Sequence, residues 1–250
     1  MNVRVCALLG GASLALTALA LPALAQKVTP AIAAAVADPG RPAADTDRDA
    51  ERKPGETMAF AGIKPGQTIG ELFPGGGYFT RMLSKAVGPK GHIFLLTPAQ
   101  FQAKQQAGQD ALAAAVGNAT VIFGPGDGPA TPEKVDVYWT TDNYHDFHNP
   151  SFGVPDVAKF NKTVFDSLKP GGEYIVVDYA GAPGTGITQT GTLHRIEPAA
   201  AKAEIEAAGF KLESESMILA NKADDHTMKV FDVKPRGAAD QFIMKFRKPK

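Results

Sequence analysis

The runs His92-Ile93-Phe94-Leu95-Leu96 and Ile175-Val176-Val177 are apolar at consecutive positions. A strand with one wet face alternates apolar and polar side chains. These do not, so both of their faces must be covered. Between such runs the periodicity changes. Phe79, Met82, Leu83 and Val87 recur at helical spacing and predict an amphipathic helix over Tyr78 to Val87. The same reading predicts helices at Pro98–Val116, Pro155–Leu168 and Pro198–Ala208. Strands are expected at Gln67–Phe73, His92–Leu96, Ala119–Phe123, Val135–Trp139, Glu173–Asp178, Phe210–Leu219 and Gln241–Phe246. Strands separated by helices specify right-handed crossovers, so the expectation is an α/β fold with a doubly wound, mostly parallel, seven-stranded sheet. No helical pattern separates the last two strands, so the last one should return antiparallel.

The chain opens on Met1-Asn2-Val3-Arg4-Val5, continues in an apolar run from Cys6 to Leu24, and reaches Ala23-Leu24-Ala25. One positive charge, an apolar stretch and a small-x-small site are the marks of a secretory signal peptide spanning residues 1–25. The mature chain is then expected to start at Gln26, in the periplasm or outside the cell, with no stable membrane insertion. Cys6 is the only cysteine. Its loss with the signal removes disulfides, thiolate metal ligands and a cysteine nucleophile from consideration. Residues 26–45 are Ala- and Pro-rich and read as a linker, with at most a short helix at Pro30 to Ala37. Residues 46–250 form the expected domain, in which Met58 and Phe60 could cover the edge of a core. Basic and acidic residues balance at 26 each. Neutrality gives no electrostatic footprint for nucleic acid or an anionic membrane, and the expected partner is a small molecule.

Ile69-Gly70-Glu71-Leu72-Phe73-Pro74-Gly75-Gly76-Gly77-Tyr78-Phe79-Thr80 reads as a strand, a glycine turn and a helix start. Glycines let the backbone bend sharply and approach a ligand with no Cβ in the way. The helix N-terminus behind them favours negative charge, a carboxylate included. No Lys-Ser or Lys-Thr follows, which excludes a P-loop. The next strand ends at Leu95-Leu96-Thr97-Pro98 without the acidic residue that a dinucleotide site uses on its ribose.

Glu71-Leu72-Phe73-Pro74-Gly75-Gly76-Gly77 resembles the first motif of class I S-adenosylmethionine-dependent methyltransferases. Leu168-Lys169-Pro170-Gly171-Gly172 resembles their late turn, and Glu206-Ala207-Ala208-Gly209-Phe210 the entry to their sixth strand. The resemblance covers residues 57–248 and points to an exported branch of that superfamily. It implies a Rossmann-like sheet of order 3-2-1-4-5-7-6 and S-adenosylmethionine as cofactor. It also places Glu71 near the cofactor's amino group, Pro74, Gly75, Gly76 and Gly77 beneath its methionyl part, and Asp127 near the adenine. Two positions depart from the pattern. Phe73 stands at the usual first glycine, and Thr97 stands where an acidic residue normally holds the ribose.

Ligands of open parallel sheets bind outside the carboxyl ends of the strands. Thr140 to Asn149, Asp178-Tyr179, His194-Arg195 and Asp224-Asp225-His226 all follow expected strands there, while His92 lies at the opposite edge. Three readings of this polar edge stand side by side. His145, Asp146 or His148 takes a proton from a substrate in methyl transfer. Alternatively His145 and His148, with His194 or His226, hold a metal. Or these residues bond backbone in loops, with Tyr144 and Phe147 as packing anchors. Export separates the protein from the cytoplasm, where the cofactor is made. That keeps two alternatives to methyl transfer open, a ligand-binding protein that has lost catalysis and a His-ligated metal enzyme. The glycine-bearing loop Ala180 to Thr192 is expected to be a mobile lid or an ordered surface connection.

Overall fold

The computed structural model describes residues 27–129, 131–235 and 237–250. The expected signal peptide lies outside the described residues. Seven strands form one sheet in the order β3-β2-β1-β4-β5-β7-β6. They are β1 (Thr68–Leu72), β2 (His92–Pro98), β3 (Ala119–Gly124), β4 (Val135–Thr141), β5 (Leu168–Tyr179), β6 (Lys211–Ser216) and β7 (Gln241–Arg247). The first five are mutually parallel. β7 runs antiparallel to both β5 and β6. The expected topology and the antiparallel last strand are therefore both present.

The unbroken apolar runs are explained by two cores, one on each face. Ile93, Leu95, Val137, Trp139 and Ile175 point to one side. Their immediate neighbours Phe94, Leu96, Tyr138, Tyr174 and Val176 point to the other. Successive strand residues face opposite ways, so a strand buried twice must be apolar at every step. The first core is closed by α4 (Pro54–Ala61), α5 (Tyr78–Val87) and α6 (Gln102–Val116), through Met58, Phe79, Met82, Leu83 and Leu112. The second is closed by α7 (Val157–Ser167) and α8 (Pro198–Ala207), through Phe160, Val164, Ala201 and Ile205.

Two expectations are corrected. The segment expected to be a linker is part of the domain. Its helix α1 (Pro30–Val36) is capped by the Thr29 hydroxyl and buries Ile32 and Ala35 completely in the first core. Ala-rich composition reads as a linker only where no partner surface exists, and here α5 provides one. β5 also starts earlier than Glu173. Leu168 already pairs with Val135, and Gly171 in the left-handed region absorbs a register shift before regular pairing resumes at Glu173.

Two four-residue helices, α2 (Ala43–Thr46) and α3 (Asp49–Arg52), lie between α1 and α4. Charge fastens them over the start of α5. Arg41 and the Tyr78 hydroxyl both donate to Asp49, at 2.6 and 2.7 Å. Arg81 donates to Asp45 at 2.8 Å. Arg52 pairs with Asp142 at the end of β4, its guanidinium 4.6 Å above the Tyr78 ring.

Candidate functional site

Glu71 closes β1 as a buried carboxyl, only 4 % exposed, and accepts a 2.6 Å hydrogen bond from the Thr80 hydroxyl one turn into α5. Burial pushes its pKa up to about 8, against the Thr80 bond and the charges of Arg52 and Arg81. The chain then turns. Phe73 takes a positive φ of 53°, and its ring packs among Phe101, Phe147 and Phe152 rather than over the glycines. Nothing lies within 4 Å of where a Cβ would stand on Gly75 or Gly76. Gly77 differs. With φ of 83°, it would set a Cβ 2.5 Å from Leu112. The last glycine is thus needed for helix packing, and the first two leave an open backbone shelf. Tyr78 is tied down by Asp49, so neither flanking aromatic fills that shelf.

Thr97 closes β2, is 4 % exposed, and accepts from the Gln109 amide at 2.8 Å. The Gln109 Oε1 beside it is buried with no hydrogen-bond partner, an acceptor where the sequence lacks an acidic side chain. Leu72, Leu96, Pro98, Ile122 and Phe160 line a narrow apolar cleft with Thr97 across the ends of β1, β2 and β3. Asp127 does not turn into this cleft. Its carboxylate pairs with Lys159 of α7 at 2.5 Å, which holds its pKa below the usual range.

The polar edge lies at the ends of β4 and β5. Asp178, fully buried at the end of the Ile-Val-Val run, accepts the His145 backbone N–H at 2.6 Å and the Tyr179 N–H at 2.8 Å. It also bonds His145 Nδ1 at 2.7 Å. A carboxylate holding an imidazole this way places the proton on Nδ1 and turns Nε2 outward. Nε2 faces His194 Nδ1 at 3.2 Å and Asp146 Oδ1 at 3.4 Å. Burial opposes a charge on His145, but Asp178, Asp146 and Asp142 outweigh it and its pKa rises. Burial lifts Asp146 to about 6. His194 moves the other way, because burial and the neighbouring His145 both disfavour its charge.

His194 reaches this point from far along the chain. It holds a positive φ of 56°, and the residue after it is an anchor. Arg195 is fully buried, donates to Ala180 O and Met228 O at 3.0 Å each, and pairs with Asp224 at 2.8 Å. The connection from Ala180 to Thr192 is an ordered one. Gly186 N–H donates to Glu197 Oε2 at 2.8 Å, and Gly181 N–H donates to Ile196 O at the same distance.

Of the expected site residues, the structure brings together Glu71, Pro74, Gly75, Gly76, Gly77 and Thr97 on one half of the edge, and His145 with Asp146 on the other. It separates His148, which bonds Glu204 of α8 at 3.1 Å and lines a groove with Asp127. The expected metal pairing is corrected accordingly. His145 and His148 lie in one 3-10 turn but face different partners, and His226 is engaged by Asp240 at 2.9 Å. The residue that meets His145 is His194. Asp178 had a visible signal, an ionisable group ending a doubly buried strand. The sequence brings His194 and His145 to the same edge but does not favour that pair over His148 or His226.

Sheet order, strand directions and the strand–glycine–helix turn are together those of the class I methyltransferase fold. Solved structures bear this out. A SAM-dependent methyltransferase from Aquifex aeolicus superposes with a TM-score of 0.57 at 17% identity, over 82% of this chain and 95% of that one. A sarcosine dimethylglycine methyltransferase from Galdieria sulphuraria gives 0.55 at 17% identity, over 80% and 85%. The [4+2]-cyclase SpnF gives 0.56 at 16% identity, over 80% and 81%. No model of a known protein family matches the chain. Over 129 residues, 50% of this chain, it is 32% identical to the ubiquinone/menaquinone biosynthesis C-methyltransferase UbiE of Vibrio cholerae. The chain spans 45% of that relative's length.

Proposed function

We propose that this protein is an S-adenosylmethionine-dependent methyltransferase acting on a small-molecule acceptor. The observation that carries the reading is the open shelf at Gly75 and Gly76, placed directly after the buried carboxyl of Glu71. A cyclase on the same fold shows that the fold alone does not decide the reaction. Local sequence likeness to a C-methyltransferase favours methyl transfer.

The residues present fit the cofactor. The shelf offers backbone without side chains for the methionyl part. Glu71 offers a carboxylate to an ammonium group, and the charge it meets there draws its raised pKa back down. Thr97 and the unpartnered Gln109 Oε1 offer polar contacts beside an apolar cleft at the ends of β1, β2 and β3. When bound, S-adenosylmethionine supplies an electrophilic methyl group. The protein's remaining work is to orient an acceptor and remove its proton, which needs positioning and one group of suitable basicity. The cluster of His145, Asp146 and His194, at the ends of β4 and β5, is the group of suitable basicity in this reading. Asn143 holds it to the glycine turn by donating to Phe73 O at 3.3 Å.

Isothermal titration with S-adenosylhomocysteine tests the assignment. One equivalent should bind to the purified chain, and no binding would remove the assignment. The signal-like start of the sequence further supports export to the periplasm or beyond. N-terminal sequencing of protein from its native host should then begin at Gln26, and a retained Met1 would contradict it.

A further inference from the structure

We infer that His145 Nε2, His194 Nδ1 and Asp146 Oδ1 form a binding site for a divalent transition-metal ion, zinc being the ion their geometry fits best. The three atoms are separated by 3.2, 3.4 and 3.6 Å. Donors at about 2.0–2.1 Å from a tetrahedral ion stand about 3.3–3.4 Å apart. Around an octahedral ion of similar bond length they would stand about 3.0 Å apart, so the observed triangle matches one face of a tetrahedron.

A hydrogen-bonded chain does not account for the cluster equally well. His145 and His194 could satisfy each other with one shared proton, but Asp146 Oδ1 would remain as it is, buried and without a hydrogen-bond partner. Asp146 is 6 % exposed, and an unpaired carboxylate oxygen at that depth is costly. A cation at the centre of the triangle satisfies all three donors at once. The surroundings agree. Asp178 bonds the far nitrogen of His145 at 2.7 Å, the carboxylate–histidine arrangement that orients imidazole ligands of metals.

Three side chains leave a fourth position. An acceptor oxygen bound there would have its pKa lowered and would release its proton to solvent water, so the metal would assist the deprotonation that methyl transfer requires. The site itself does not depend on the methyl-transfer reading and would serve a metal enzyme on this fold equally.

Zinc titration of the full chain, stripped with a chelator and monitored by competition with a chromophoric indicator, tests it. The wild type should bind one equivalent. Asp146→Asn and His194→Ala should each weaken binding by at least about 10–100-fold, the range seen even for loss of outer-shell partners. His92→Gln, at the opposite edge of the sheet, should leave it unchanged. Far-UV circular dichroism establishes that each variant folds, and the partly exposed position of His194 makes its variant the safer of the two. No stoichiometric binding by the wild type, or equal binding by folded wild type and both cluster variants, would overturn the site. Loss of S-adenosylhomocysteine binding in the parallel titration would overturn only the methyltransferase assignment.

Discussion

At the ends of β1 and β2 the carboxyl edge of the sheet is made of backbone, glycine and a lined apolar cleft. At the ends of β4 and β5 it is made of charge, with Asp142, Asp146 and Asp178 set around one imidazole. Both halves lie on the same edge and border the same turn, joined through Asn143 and Phe73. They are specified differently. The first half depends on what side chains do not occupy, so its identity sits in consecutive residues. The second depends on buried ionisable groups compensating one another, so its partners are 33 and 49 residues apart in the chain. Removing an atom from the second half should cost stability, and adding an atom to the first should cost binding.

The sharpest test of that contrast is Asp178→Ala. It leaves the His145 ring and two backbone N–H groups without their acceptor in a fully buried place. Breaking a buried pair from one side costs about 3–5 kcal/mol, and a urea denaturation series should show a loss of that size. A loss below about 1 kcal/mol would mean that water reaches His145 and that the two halves are less different than their burial indicates.

Glu71 is the exception on the backbone half, a lone buried carboxyl whose pKa stands near 8. Its folded pKa is raised above the unfolded value, so the folded state holds the proton longer. The contribution is favourable below about 4.5, where both states are protonated. As pH rises towards 8 the unfolded chain ionises first, and stability falls by about 1.4 kcal/mol for each pH unit crossed, a few kcal/mol in all. Above 8 the loss levels off. Glu71→Gln should abolish this component, so stability of the variant relative to wild type should rise across that window. A flat difference curve would show that Glu71 is ionised in the fold, paired with Arg52 or Arg81.

Two neighbouring glycines separate packing from binding within one turn. Gly77→Val meets Leu112 and a left-handed backbone, and should cost about 2–4 kcal/mol in the same denaturation assay. Gly76→Val meets open space and should change stability by no more than about 0.5 kcal/mol. Yet it places a branched side chain on the shelf, and S-adenosylhomocysteine affinity should drop at least about tenfold, equivalent to about 1.4 kcal/mol. Unchanged affinity in a folded Gly76→Val protein would remove the shelf from the ligand site.

The same contrast explains what could be read from sequence. Strand and helix positions followed from Ile175-Val176-Val177 and from the Phe79–Val87 periodicity, because double burial and helical spacing act over a few residues. The shelf followed from Pro74 to Gly77 for the same reason. The segment from Pro30 to Asp45 did not, since burial of Ile32 depends on a surface supplied by α5. His194 and His145 were legible as neighbours on one edge, but not as a pair preferred over His148 or His226. That position of His194 is held by Arg195, whose partners Ala180, Asp224 and Met228 are distant in the sequence. His148 misled for the opposite reason. Proximity in sequence placed it beside His145, but the two rings are held by different partners, Asp178 for His145 and Glu204 of α8 for His148.

Asp127 gives the finest distinction. The methyltransferase resemblance implies a place near an adenine for Asp127, while its side chain turns to Lys159 on the surface, where the pair is 37 and 61 % exposed. An exposed ion pair contributes little to stability, so Asp127→Asn should leave the denaturation midpoint essentially unchanged. If the carboxylate stays with Lys159 when ligand binds, S-adenosylhomocysteine affinity should change by less than about threefold, or about 0.6 kcal/mol. A larger loss of affinity with unchanged stability would mean that Asp127 leaves Lys159 to meet the ligand. The backbone half of the edge would then have a charged contact of its own, and the division between the two halves would hold only in the ligand-free protein.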